Sequence, residues 1–200
     1  MKNLFCFILC ITSFALLAQE KWTIESAKTF QDTLNKEYAT KGESPLMDED
    51  LKAFKSLDFY PIAPKYAVEA TFTRSENEQS FKMKTTGTRT PEYIKYGELH
   101  FVFDNKQYKL NVYQGLDLMK RPGFEDYLFL PFSDLTCGKQ SYIGGRYIDM
   151  RIPKGKTIII DFNKAYNPYC AYNHKYSCPI VPLENDIEVE ILAGVKKFHD

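Results

Sequence analysis

The feature that most constrains the fold is a change of hydrophobic period at Tyr66. From this residue onward, apolar and polar side chains alternate along short runs that turn residues separate. Alternation with a period of two is typical of strands that bury one face. The strand-like runs are 66–73, 81–86, 98–103, 108–113, 127–131, 142–152, 157–162 and 187–192. Because no long helices stand between them, we predict a mainly β (α+β) fold, as an antiparallel sheet, a sandwich or a small barrel.

The region before the sheet has a helical period instead. Over residues 26–38, apolar residues recur every three or four positions, and a second short helix is predicted over residues 48–57. A chain of 200 residues fits one domain with a short appendage. We therefore predict a signal peptide at residues 1–18, a helical segment at residues 19–60 packed on the domain, and a β-rich domain at residues 61–200.

The first residues have the pattern of a targeting segment. Lys2 is followed by an almost wholly apolar run over residues 4–17, and the chain turns polar after Ala18. A run of this length is short for a membrane span and matches the core of a signal peptide. We predict cleavage near Ala18 or Gln19, a periplasmic or secreted protein, and no membrane span in the mature chain. An uncleaved anchor and a buried helix are the alternatives.

The charge balance bears on the partners. Lys plus Arg and Asp plus Glu each number 26, so the chain has no excess of either charge. Binding to nucleic acid or to an anionic membrane surface depends on an excess of basic residues. We therefore predict no nucleic-acid partner, and the sequence indicates no cofactor. The oligomeric state is left open.

Five short motifs follow one another in the C-terminal third. They are Asp134-x-Thr136-x-Gly138, Ser141-Tyr142-x-x-Gly145-Arg146-Tyr147, Asp161-Phe162-Asn163-x-x-Tyr166-Asn167-Pro168-x-Cys170-Ala171, Cys178-Pro179-x-x-Pro182-x-Glu184-Asn185 and Ala193-Gly194-x-Lys196. Their order resembles the domain-of-unknown-function family 1684 (DUF1684), strongly over residues 132–196 and in outline over the preceding region. The resemblance implies a fold neighbourhood and no activity. Cys137 departs from the family pattern, in which a small or polar residue is more usual.

Three cysteines remain after signal cleavage: Cys137, Cys170 and Cys178. In an oxidising compartment, an odd number indicates one disulfide and one spare thiol. Cys170 and Cys178 are eight residues apart in a segment that lacks a helical pattern, and we predict a disulfide between them. Free thiols are one alternative. The other is a metal site that adds His174, but no fourth ligand is apparent, so no metal is predicted.

Polar residues around two of the predicted strands are candidates for ligand binding. Asp161 and Asn163 are two apart and would share a face of a strand, while Tyr142 and Arg146, four apart, would share a face of a neighbouring one. A buried Asp and a buried Arg must pair or lose their hydration, so an Asp161–Arg146 ion pair is one interpretation. In the other, Arg146 binds an anionic group, with Tyr142, Asn163 and Asn167 as hydrogen-bond donors around a small polar or anionic ligand.

Two further candidates, Glu184 and Asn185, follow a proline-rich turn. The favoured function is a non-catalytic, small-ligand-binding or structural domain of the cell envelope, because no acid–base pair is evident. The alternative is a hydrolase in which Asp161 or Glu184 is the base and Arg146 and Asn163 hold an anionic substrate. The sequence leaves open whether the protein is an enzyme and assigns no catalytic residue.

Overall fold

The computed structural model describes residues 22–199, which form two helices and eight strands. Helix α1 spans Ile24–Ala39 and α2 spans Asp48–Ala53. The strands are β1 (Ala67–Arg74), β2 (Phe81–Lys82), β3 (Glu92–Phe103), β4 (Lys106–Gly115), β5 (Tyr127–Asp134), β6 (Arg146–Arg151), β7 (Thr157–Asp161) and β8 (Asp186–Ile187). Short 3-10 helices span Pro64–Tyr66, Phe162–Lys164, Tyr169–Ala171 and Leu183–Asn185. The predicted mainly β fold is confirmed.

The sheet is antiparallel along its main path, in the order β6-β5-β4-β3-β1-β7. Strand β2 pairs with β3, and β8 adds a short parallel pairing to β5. Asp104 and Asn105 join β3 to β4 as a hairpin, with φ values of +45° and +62°. Two consecutive residues with positive φ match the twist that a tight hairpin requires.

The sheet curls into a half-barrel around one apolar core. Alternate side chains of β1, β3, β4, β5, β6 and β7 point inward. There they meet apolar residues of the C-terminal segment, residues 187–196. The fully covered members of this core include Leu110, Val112, Leu130, Phe132, Ile160, Phe162, Ile191 and Ala193. A second cluster, of Met83, Tyr113, Phe129 and Tyr147, covers the outer face of β4 to β6. Strands β4 and β5 are therefore buried on both faces, which fixes the middle of the sheet.

Helix α1 packs on the C-terminal part of the chain. Its N-terminus is capped by the Thr23 hydroxyl, which accepts a hydrogen bond from the backbone N–H of Ser26. Leu34 and Tyr38 enter an apolar cluster with Tyr172 and Val195. Among residues 22–199, no helix has the length and apolarity needed to span a membrane.

Helix α2 ends before the predicted position. It stops at Ala53, whereas the pattern extended to residue 57. The reason is a contact with α1: the backbone N–H of Leu57 donates to the side-chain oxygen of Asn35 at 2.8 Å, and Leu57 is buried in the cluster beneath α1. Tertiary packing has overridden the local period here.

Three predicted strands are shorter in the structure by more than one residue. Strand β6 begins at Arg146 and not at residue 142, because residues 142–145 form a turn in which the Gly145 N–H donates to the Tyr142 carbonyl at 3.1 Å. Gly145 has a φ of +82°, which ends the extended run. The prediction that Tyr142 and Arg146 share a strand face is therefore wrong. Strands β2 and β8 contain only two residues each. After β2, residues 84–86 bond to residues 178–180, and after β8 the Val189 N–H turns back to the Ile187 carbonyl at 2.9 Å.

The two outer strands of the path, β6 and β7, are consecutive in the sequence. Residues 152–156 join them, and they run antiparallel, as the strands of a hairpin do. Within residues 22–199, however, no ladder of hydrogen bonds connects them. Only the start of β6 is covered, where Tyr147 and Tyr166 exchange backbone hydrogen bonds of 2.9 and 3.0 Å. The half-barrel is thus open between β6 and β7.

Candidate functional site

Arg146 is fully buried at the start of β6, with an exposed fraction of 0%. Its guanidinium donates to the backbone carbonyls of Ala193, Val195 (3.4 Å) and Ile191 (2.9 Å) and to the carboxylate of Asp134 at 3.2 Å. Three of these four acceptors are backbone oxygens of the C-terminal segment. Arg146 therefore fastens that segment to the sheet.

The Asp134 carboxylate completes this buried group. Besides Arg146, it accepts hydrogen bonds from the Thr136 hydroxyl at 2.9 Å and from the Ile191 N–H at 2.7 Å. An Asp134–Arg146 ion pair at 3.2 Å replaces the Asp161–Arg146 pair suggested by the sequence, and that suggestion is wrong. In the sequence, Asp134 stands out only as the first residue of the Asp134-x-Thr136-x-Gly138 motif. Its spacing to Thr136 gave no sign of a partner 12 residues further on.

Asp161 lies at the end of β7 and has a different set of partners. Its carboxylate accepts the indole N–H of Trp22 at 2.8 Å and the backbone and side-chain N–H groups of Asn163 at 3.2 and 2.9 Å. The Lys164 ammonium lies 3.7 Å away. Asn163 belongs to the 3-10 helix that Asp161 caps and not to the strand, so the prediction of a shared strand face is wrong. The sequence did not indicate Trp22 as a partner, because 139 residues separate it from Asp161.

Asn163 also fixes the approach to β1. Its side chain accepts from the Ala63 N–H at 3.0 Å and donates to the Ala63 carbonyl at 3.2 Å. Its own carbonyl accepts from the Gln31 side chain of α1 at 3.0 Å. Asn163 thus joins α1, the segment before β1 and the end of β7.

Asn185 bridges two neighbouring strands from a fully buried position. It accepts from the Asn111 N–H and donates to the Asn111 carbonyl, both at 2.8 Å, and donates to the Pro131 carbonyl at 2.6 Å. Its neighbour Glu184 is exposed. The buried Asn167 donates to the Lys196 carbonyl at 2.9 Å, while its side-chain oxygen has no hydrogen-bond partner among the described residues.

Cys170 and Cys178 are buried free thiols in contact with each other. The Cys170 N–H donates to the Cys178 sulfur at 3.1 Å, and the Tyr142 hydroxyl lies 3.8 Å from the Cys170 sulfur. Hydrogen bonding from Cys178 lowers the pKa of Cys170 to about 6, and the same interaction raises the pKa of Cys178. Burial and the nearby Cys170 raise the pKa of Tyr142 to about 12. The disulfide stays a prediction, and residues 22–199 contain no group of three potential metal ligands.

A cleft of about 840 Å³ lies where the half-barrel is open. It is lined by Ile148, Asp149, Met150, Arg151, Ile152, Pro153, Lys154, Gly155, Thr157, Ile158, Ile159, Asp161 and Lys164. Both inward-pointing residues such as Met150 and outward-pointing ones such as Asp149 belong to the lining. Side chains of both faces meet only at a strand edge, so the cleft runs between the edges of β6 and β7.

The charged groups of the cleft differ in how far they are already paired. The Arg151 guanidinium forms an ion pair with the Asp126 carboxylate at 2.6 Å. The Asp149 carboxylate accepts the hydroxyl groups of Tyr127 and Tyr166. Lys154 forms no ion pair among residues 22–199, and the Lys164 ammonium has only the 3.7 Å contact with Asp161. The cleft therefore presents positive charge that is incompletely neutralised beside an apolar wall.

The structure brings only some of the predicted residues to this cleft. Asp161 lines it, and Asn163 is hydrogen-bonded to Asp161. The remaining candidates are distributed over three other places. Tyr142 lies beside the cysteines, Arg146 and Asn167 hold the C-terminal segment, and Asn185 joins β4 to β5 with Glu184 exposed next to it.

The chain matches the family model described as "Protein of unknown function (DUF1684)" over residues 52–196. Among solved structures it is similar to the solution NMR structure of an uncharacterized protein of Haloarcula marismortui. The two are 32% identical, the match covers 86% of this chain and 92% of the other, and the TM-score is 0.68. The comparison with curated proteins gave no match.

Proposed function

This chain belongs to the DUF1684 family, and we propose that it is an exported, non-catalytic domain that binds a small ligand in the cleft between β6 and β7. The observation that carries the proposal is the cleft itself. A cavity of about 840 Å³ between two strand edges combines apolar walls with a few polar groups, which is the usual composition of a small-molecule site.

The buried polar residues outside the cleft support this assignment, because they are hydrogen-bonded to other groups of the same chain. The two terminal nitrogens of Arg146 donate to three carbonyls and one carboxylate of its own chain. Asn185 makes three internal hydrogen bonds. Groups paired in this way stabilise the fold and have little capacity left for a ligand. For the hydrolase alternative, no hydrogen bond among residues 22–199 joins Arg146 to Asp161 or Glu184.

The test is a titration of the isotope-labelled protein, followed by amide chemical shifts. The panel contains amino acids, short peptides, monosaccharides and small carboxylic acids. A ligand of the cleft shifts the amides of residues 148–161, and Ile159→Arg, which fills the cleft with a larger charged side chain, abolishes its binding. The matched control is Val102→Arg, because Val102 is exposed on β3 away from the cleft. Shifts confined to another surface, or no shift with any compound, would refute the proposal.

Export is a separate part of the proposal and rests on the apolar run at residues 4–17. These residues lie outside the described part of the chain. We expect the protein from the periplasm or medium to begin near Gln19, as N-terminal sequencing would show. Leu9→Arg interrupts the apolar run and should leave the precursor unprocessed inside the cell. Wild-type protein that keeps residues 1–18 would argue against export by this signal.

In the exported protein we propose that Cys170 and Cys178 form a disulfide. Their contact at 3.1 Å between the Cys170 nitrogen and the Cys178 sulfur supports this pairing. Loss of the two thiol hydrogens to a disulfide-containing oxidant of the compartment closes the loop. By loop-closure entropy, the bond should stabilise the fold by about 2–3 kcal/mol.

Intact mass of the denatured, non-reduced protein tests the pairing. Wild type and Cys137→Ser should both be two hydrogens lighter than their reduced forms, whereas Cys178→Ser should not. In the reduced protein, iodoacetamide should modify Cys170 with a midpoint near its pKa of about 6, because the thiolate is the nucleophile. A Cys137-dependent mass change would indicate another pairing.

A further inference from the structure

The open edge of β6 presents backbone hydrogen-bonding groups to the cleft. The backbone N–H and C=O of Tyr147 are hydrogen-bonded to the backbone of Tyr166, on the side of β6 that faces away from β5. In an antiparallel strand, alternate residues direct these groups to the same side, so those of Asp149 and Arg151 also point away from β5. The opposite set points toward β5, as the 2.8 Å bond from the Ile152 N–H to the Asp126 carbonyl shows.

Strand β7 presents a second open edge across the cleft. The Lys156 carbonyl accepts the Phe72 N–H of β1 at 2.8 Å, so residues 156, 158 and 160 direct their backbone groups to β1. Ile159 therefore directs its N–H and C=O away from β1 and toward the cleft. The cleft is thus bordered on both sides by backbone donors and acceptors at strand spacing.

Both ends of the cleft are closed by the chain itself. Residues 152–156 connect β6 to β7 at one end. At the other end, residues 162–166 cross from β7 to the Tyr147–Tyr166 bridge. The open edge of β6 between them runs from Ile148 to Arg151, a length of about 13 Å at about 3.3 Å per residue. A long segment of another protein cannot pass through, and only a short ligand fits.

The two closed ends carry cations that are not fully paired. Lys154 is exposed at the loop end and forms no ion pair within residues 22–199. At the other end, the Lys164 ammonium is 3.7 Å from Asp161, beyond hydrogen-bond length. These positions favour a ligand that ends in a carboxylate.

We infer that the ligand of this cleft is a short linear peptide of about three to five residues with a free terminal carboxylate. It lies between β6 and β7 as an added strand and completes the hydrogen bonding of their open edges. A peptide repeats N–H and C=O groups at the spacing of a strand edge, which sugars and fatty acids do not. The inference rests on the proposed function, since it names the class of ligand for the same site.

The probe is tetra-alanine, compared with its C-terminal amide and with an analogue N-methylated at alternate residues. Calorimetry should show binding of the free acid and about tenfold weaker binding of the amide, because one charge-assisted hydrogen bond is lost. The N-methylated analogue should not bind, since its methyl groups occupy the positions of the donors. Equal binding of all three peptides would overturn the inference.

Two pairs of variants locate the contacts. Ile159→Pro removes the N–H that faces the cleft and should abolish tetra-alanine binding, while Ile159→Ala keeps the N–H and should retain it. Lys164→Gln should weaken the binding of the free acid about tenfold and leave the binding of the amide unchanged. Lys156 is exposed and lies outside the cleft lining, so Lys156→Gln should leave the binding of both peptides unchanged.

The outcomes separate the inference from the proposed function. If Ile159→Pro does not fold, the N-methylated peptide still decides whether backbone hydrogen bonds are needed. A monosaccharide or small carboxylic acid that shifts the cleft amides when no peptide does would overturn the inference and keep the proposed function. Failure of every compound in both panels would overturn both.

Discussion

Strand β6 has two ends with opposite properties. At its start, Arg146 is fully buried, and its two terminal nitrogens donate to acceptors of the same chain. At its end, Asp149 and Arg151 border a cleft with backbone groups that no other strand pairs with in the described part of the chain. The comparison separates two uses of polar groups. A buried group that is bonded to its own chain holds the fold together, whereas an unpaired group beside a cavity is available to a ligand.

The largest expected effect is at the buried end. Arg146→Met should lower the free energy of unfolding by about 3–5 kcal/mol, because it leaves the buried Asp134 carboxylate without its cationic partner and three carbonyls without the Arg146 donor. Urea unfolding followed by circular dichroism measures the change. The control is Arg151→Met, whose partner Asp126 is exposed, and this variant should lose less than about 1 kcal/mol.

The same comparison has an internal check. Adding Asp134→Asn to Arg146→Met removes the uncompensated buried charge and should recover part of the lost stability. If Arg146→Met costs no more than Arg151→Met, the buried group is not what fastens the C-terminal segment.

The next effect separates two adjacent residues. Asn185→Ala removes three hydrogen bonds between β4, β5 and the segment that carries Asn185, and it leaves the Asn111 and Pro131 backbone groups unsatisfied. We expect a loss of about 2–3 kcal/mol in the free energy of unfolding. Glu184→Ala, at the exposed neighbour, should change it by less than about 0.5 kcal/mol. Similar losses in both variants would contradict the structural role of Asn185.

The sheet could be predicted because its evidence is local. A period of two in burial follows from the pleat of a strand, and Asp104 and Asn105 tolerate the positive φ of a tight hairpin. The ends of the strands and of helix α2 were predicted less well. Gly145 ends an extended run through its own φ, and Leu57 leaves its helix for a contact with Asn35. The ending before Leu57 depends on Asn35, a residue outside the local pattern, and the ending at Gly145 depends on a φ that the hydrophobic period does not record.

The site could be predicted only in part, because its geometry depends on which strands fail to pair. The sequence identified Asp161 and Arg146 as residues that need partners, as the burial of an ionised group requires. It could not choose between partners: Asp134 for Arg146 and Trp22 for Asp161 come from distant segments. Nor does any residue pattern show that β6 and β7 remain apart. Residues 148–159 have the composition of an ordinary hairpin, so the cleft between them was missed.

A smaller effect is expected where the N-terminal segment reaches the cleft. Trp22→Phe keeps the aromatic ring and removes the indole N–H from the Asp161 carboxylate, which is 7% exposed. The expected loss is about 1–2 kcal/mol in the free energy of unfolding, since the acceptor is charged. A double-mutant cycle with Asp161→Ala, which removes the acceptor, isolates this hydrogen bond. A coupling energy of zero would mean that Trp22 and Asp161 do not interact in solution.

The smallest effect on stability is expected inside the cleft. The Lys164 ammonium is 3.7 Å from Asp161 and its side chain is about one-third exposed, so solvent screens their attraction. Lys164→Gln should therefore change the free energy of unfolding by less than about 0.5 kcal/mol. In calorimetry, however, the same variant should bind a carboxylate-terminated peptide more weakly. A Lys164→Gln variant that keeps its stability while it binds the peptide more weakly would distinguish the cleft from the Arg146 end of β6. A large loss of stability would instead place Lys164 with the groups that hold the fold together.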